Sequence, residues 1–190
     1  MGVSELRRAK ELPTPTRATR TLHVRTAAGT RTRGWLTAGS VSIPVALGRG
    51  GILANKREGD GGTPRGRFRL VRLWWRPDRG PRPRTRLPVR PIRAHDAWCE
   101  DPADRRYNQP ISLLRGATGD RLWRDDHLYD LMIELDHNTR PRIAGRGSAV
   151  FVHVARPGFA PTAGCVALKP GNLRELLKTL SPKTRIDIHL

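Results

Sequence analysis

The chain has 190 residues, 37% of them hydrophobic and only 5% aromatic, which suits one folding unit with a lean core. No apolar run approaches the roughly 18 residues of a membrane-spanning helix, and two cysteines exclude both a disulfide scaffold and a four-cysteine zinc ribbon. The formal charge is +19, and residues 1–93 carry most of it, with 22 Lys and Arg against 5 Asp and Glu.

Residues 1–19 are polar and basic, lack the apolar stretch of a secretory signal peptide, and read as a disordered arm ahead of a single domain over 20–190. Strand-like alternation then begins at Thr21 to Arg25. Val41 to Leu47 is a second, largely apolar strand, with Pro44 marking an edge or a bulge. The glycine-rich stretch 48–68 reads as turns leading into a third strand over Gly66 to Leu73. Residues 76–93 hold five prolines and seven arginines, too much proline for a helix or a central strand, so an extended surface loop or insertion is expected. Leu128 to Leu135, Ala149 to Ala155 and Thr184 to Leu190 are further strands. One helix is expected at about 172–180. Leu173, Leu176, Leu177 and Leu180 form its apolar stripe, and Asn172 with Glu175 has the spacing of a capping box. The fold class is therefore mostly β, with sheets packed as a sandwich or half-open barrel and one late α-helix.

The segment that carries chemistry is Ala149 to Leu168. An apolar strand delivers His153, a Pro/Gly loop follows, and Cys165 comes next in Thr162-Ala163-Gly164-Cys165-Val166. A Cys–His pair can do nucleophilic catalysis: the thiolate attacks a carbonyl, and the imidazole takes the thiol proton and returns it to the leaving amine. Gly164 lets backbone N–H groups approach the oxyanion that develops. By spacing alone, most such pairs in soluble proteins have no chemical role.

This string, His153 to Thr162-Ala-Gly-Cys165-Val, resembles the catalytic motif of the L,D-transpeptidase (YkuD-like) family. Gly48 through Lys56 to Gly62-Thr63-Pro64-Arg65-Gly66-Arg67-Phe68 resembles the family's upstream stretch. Asp96-Ala97-Trp98-Cys99 and Tyr107-Asn108 are similar to a short subgroup. The resemblance implies Cys165 as nucleophile, His153 as general base, the Val154 carbonyl orienting the imidazole, and backbone N–H groups around Gly164 and Cys165 as the oxyanion hole. It implies attack on peptidoglycan stem peptides, departure of the terminal D-residue, and resolution of the thioester by a second stem's amine to give a 3–3 cross-link. Water in place of that amine would give an L,D-carboxypeptidase. No cofactor or metal is implied, and the cell envelope is the expected location. Ala167 stands where the family usually has Arg or Asn, and Ala163 where it often has His.

Thr162, Tyr129 and Asn108 are candidate substrate contacts, the last within a polar loop, Asp101 to Asn108, placed to cover the site. His95 and Cys99 with His153 and Cys165 match no zinc spacing, and a Cys99–Cys165 disulfide would block catalysis. Trp74 and Trp75 are expected in the core or at its edge. The competing function class is a non-catalytic basic module holding nucleic acid or another anionic polymer; no helix-turn-helix, RRM or zinc-finger signature supports it.

Overall fold

Alternation of apolar and polar residues builds β1 (Thr21–Thr26), β2 (Arg33–Ala38) and β3 (Val41–Ala46) as an antiparallel meander, with Leu22, Val24, Leu36, Ile43 and Val45 on the buried face. The computed structural model describes residues 19–114 and 117–190, so the expected N-terminal arm, apart from Thr19, lies outside the described residues. Pro44 faces Trp35 of β2, at a point where β3 has no pairing on its other side; there the missing N–H costs nothing.

The glycine-rich connection contains two short strands, β4 (Ile52–Leu53) and β5 (Thr63–Pro64), which pair in parallel. It leads into β6 (Gly66–Trp75), which runs ten residues. After it come β7 (Val89–Pro91), β8 (Asp96–Trp98), β9 (Pro110–Ser112) and β10 (Asp120–Arg121). Then follow β11 (Leu131–Leu135), β12 (Phe151–Val154), β13 (Val166–Leu168), α1 (Pro170–Leu177) and β14 (Arg185–Ile188).

The main sheet runs β11-β12-β13-β3-β2-β1-β14-β6-β7, and β6 also pairs with β11. That extra pairing closes eight strands into a ring. The length of β6 makes this feasible: Gly66 to Arg69 pair with β14 on one edge, while Leu70 to Trp75 pair with β11 on the other. One cluster of buried residues unites Leu22, Val24, Leu36, Leu73, Ile133, Val152 and Val166 with Leu173, Leu176, Leu177 and Leu180 from α1 and the turn after it. A second cluster gathers Trp74, Trp98, Tyr129, Met132, Phe151 and Cys165. Strand β12 divides them, since Val152 and Val154 face the first while Phe151 faces the second.

The mostly β class, the barrel-like sandwich and the single late helix are as the sequence indicates. Three local expectations differ. The helix starts at Pro170 rather than near 172. Pro170 occupies the first helical turn, where its missing N–H is harmless; Lys169 stands at the N-cap, and no side chain caps the helix, so Asn172 and Glu175 form no capping box. The strand expected from Leu128 begins at Leu131, because His127 adopts φ 63° and Asp130 N–H turns back to the His127 carbonyl. The Pro/Arg tract is tied into the fold. β7 pairs with β6, Leu87 and Ile92 are buried, and the Arg76 guanidinium stacks 3.7 Å from the Trp123 ring centroid while bonding Asp78.

Candidate active site

His153 is carried by β12 with β11 on one side and β13 on the other, opposite Met132 and Ala167. It is 5% exposed. Its Nδ1 lies 2.8 Å from the Val154 carbonyl oxygen. A carbonyl can only accept, so Nδ1 carries the proton and Nε2 keeps the lone pair. The Tyr129 ring meets the imidazole edge-on at 5.4 Å between centroids, and Tyr129 Oη donates to Asp120 at 2.8 Å.

Cys165 ends the turn just before β13 and is 7% exposed. The Phe151 N–H points at its sulfur at 3.4 Å, and the thiol donates to the Ala149 carbonyl at 3.3 Å. Ala149 holds the left-handed φ of 51°, and its N–H is fixed by Asn108 Oδ1 at 3.2 Å. A non-glycine residue in that region stores strain next to the sulfur. Thr162 builds the turn: its hydroxyl donates to the Cys165 carbonyl at 2.7 Å and accepts the Gly164 N–H at 3.1 Å. The Gly164 N–H is thus taken, while the Cys165 N–H has no hydrogen-bond partner among the described residues.

His153 and Cys165 line one cleft of about 700 Å³, together with Tyr129, Thr162 and Gly164. Asn108 is not part of this lining. Its amide is fully used inside the protein, accepting from Trp98 Nε1 and Ala149 N–H and donating to the His137 and Asn138 carbonyls. It holds the Ala149 segment in place. From the polar loop expected over the site, Asp101 to Asn108, no residue reaches the cleft lining, although its neighbour Glu100 does.

The cleft also presents groups that residue patterns did not single out as site residues: Arg49, Glu58, Glu100, Asp120, Arg124 and Arg156. They come from separated parts of the chain, Asp120 from β10 and the others from loops, and share no spacing that a sequence could reveal. Glu58 accepts from Tyr107 Oη and from Ser148 Oγ. Glu100 is pushed up to about 7, first by the protein packed around it and then by the carboxylates of Asp120 and Glu58.

Both cysteines are free thiols. Among the described residues, His95, Cys99, His153 and Cys165 do not form a metal-ligand group. His23, Asp187 and His189 do lie close together on the β1/β14 surface, where the Arg25 guanidinium already donates to His189.

Burial sets the protonation of the pair. It lowers His153 to about 4, outweighing the Val154 hydrogen bond, and it pushes Cys165 up to about 12, with the Asp120 and Glu100 carboxylates adding to the rise. The resting pair is therefore a neutral imidazole and a neutral thiol. Because the folded His153 resists protonation, it contributes up to about 3 kcal/mol above pH ~6.5, lost as pH falls through about 4. Alkylation of Cys165 by iodoacetamide should keep rising past pH 9. A rate already level between pH 5 and 8 would show a preformed thiolate–imidazolium pair and refute this account.

The sequence matches the family model of the L,D-transpeptidase catalytic domain, YkuD, over residues 19–188. The chain belongs to the L,D-transpeptidase (YkuD) family. Its closed sheet and single late helix are consistent with the YkuD fold. Among solved structures it is similar to Bd1075 of Bdellovibrio bacteriovorus, with 14% identity and a TM-score of 0.47 over 90% of this chain and 48% of that one. The YkuD chain here thus covers about half the length of that protein. Comparison with curated proteins gave no match. Among the described residues, no helix is long and apolar enough to cross a membrane.

Proposed function

We propose that this YkuD domain is a cysteine acyltransferase that cleaves and rejoins peptidoglycan stem peptides through a thioester on Cys165. The observation that supports it most is one cleft lined by both the Cys165 thiol and His153, whose Nε2 is left free because Nδ1–H donates to the Val154 carbonyl.

As the stem's L-centre carbonyl enters, the thiol releases its proton to His153 Nε2 and the sulfur bonds to the carbonyl carbon. The Cys165 N–H stabilises the oxyanion. The C–N bond to the terminal D-residue breaks, and its amine leaves with the proton from His153. An amine from a second stem then attacks the thioester, giving a 3–3 cross-link, or the amine of a free D-amino acid does so, giving an exchanged terminal D-residue. Water attacking instead gives the L,D-carboxypeptidase outcome by the same chemistry. Coupling attack to proton transfer suits a neutral pair, since neither group must be charged in the dry resting site.

Intact-mass spectrometry after incubation with a stem tetrapeptide or a carbapenem tests this reading. One acyl adduct on Cys165 is expected. A folded protein with Cys165 unmodified by both reagents would overturn it.

A further inference from the structure

Lys56 lies in the loop between β4 and β5 and is only 7% exposed, which lysine tolerates only when paired. Its Nζ donates to Asp60 Oδ1 at 2.5 Å and to the Arg57 carbonyl at 2.8 Å. Asp60 in turn accepts the Arg57 N–H at 2.6 Å and the Gly62 N–H at 2.8 Å. The ammonium is therefore pinned to a loop that is itself braced. An ammonium has three N–H donors, and two are used here.

The aliphatic stem of Lys56 runs between two glycines that flank the thiol's surroundings. A Cβ on Gly147 would meet Lys56 Cγ at 2.8 Å, and one on Gly164 would meet Lys56 Cε at 3.6 Å. Gly147 leads to Ala149, whose carbonyl receives the thiol; Gly164 precedes Cys165. Lys56 also lines the cleft.

We propose that Lys56 is a positioning residue for Cys165: its stem, held in place by the ammonium's bonds to Asp60 and the Arg57 carbonyl, packs against Gly147 and Gly164 on either side of the thiol, and its ammonium at the cleft supplies positive charge that favours the thiolate during attack. The inference rests on Cys165 being the nucleophile. Charges of both signs line the cleft around the sulfur. Asp120 from β10 and Glu100 from the loop after β8 oppose ionisation, whereas Lys56 favours it. Tyr129 and His153 share the cleft as neutral groups.

The test compares Lys56→Met, which keeps an apolar stem, with Lys56→Arg, which keeps the charge. The rate of Cys165 alkylation by iodoacetamide is followed from pH 6 to 10, beside tetrapeptide acylation and thermal unfolding. Lys56→Met should shift the alkylation profile upward by about one pH unit, slow alkylation at pH 8 about tenfold and slow acylation with it. Lys56→Arg should recover most of both rates. If Lys56→Met does not fold, Lys56→Met/Asp60→Asn, which also removes the stranded carboxylate, should fold and show the same shift. A wild-type profile in any folded neutral variant overturns the proposal. So does unfolding of both neutral variants, which would assign Lys56 to the fold alone. Failure of the acyltransferase reading looks different: the wild-type protein would form no acyl adduct.

Discussion

Cys165→Ala is expected to lower stem-tetrapeptide turnover by at least ~10⁴-fold, because no other group in the cleft replaces the attacking sulfur. Fold is not the reason for the loss. The side chain is small, its sulfur's hydrogen-bond partners among the described residues are only the Phe151 N–H and the Ala149 carbonyl, and the void left behind costs about 1 kcal/mol. Cys165→Ser is a stricter comparison, since it keeps shape and hydrogen bonding. Its hydroxyl is a far weaker acid than a thiol, and burial that already pushes the thiol up to about 12 penalises an alkoxide too. Serine should therefore fail almost as completely. Steady-state release of the terminal D-residue measures both variants, and turnover within tenfold of wild type in either would end the nucleophile assignment.

Gly164→Ala should damage both activity and stability. Gly164 has φ 146°, a conformation that side chains rarely adopt, and an added Cβ would stand 2.8 Å from the Gly62 carbonyl oxygen. That oxygen belongs to backbone, in a glycine run that Asp60 already ties down, so it yields only at a cost. About 2–3 kcal/mol is expected, lowering the unfolding midpoint by roughly 5–10 °C for a domain of this size. The larger effect is on chemistry. Moving this turn moves the Cys165 N–H and the sulfur together, and an acylation loss of at least ~100-fold should follow. Acylation at the wild-type rate in a folded Gly164→Ala protein would show that the turn plays no part in catalysis.

Where local pattern decided structure, the sequence was readable. The alternation in β1, β6 and β14 needed no tertiary information, nor did the leucine stripe of α1. The His153 strand and the Thr162 to Cys165 turn were visible as one contiguous segment. Where long-range contacts decided it, pattern was mute. β8, β9 and β10 form a small sheet of their own from segments where pattern marks no strand. Asn108 looked like a substrate contact because polar loop residues so often are; its left-handed φ and four internal hydrogen bonds instead make it a strut beneath Ala149. Lys56 belonged to a recognisable stretch, yet its burial depends on Gly147, ninety-one positions away, having no side chain. The boundary of α1 was misplaced because a proline start outranks a weak cap.

β1 and β14 lie side by side in parallel, Thr21 against Arg185. During translation, then, the ring cannot be completed before residues 185–188 have emerged from the ribosome. Until that moment β1 and the first half of β6 present open hydrogen-bonding edges, the kind that recruit other chains. The nascent polypeptide is thus at its most aggregation-prone just before residues 185–188 emerge, and shielding by a chaperone matters most in that interval.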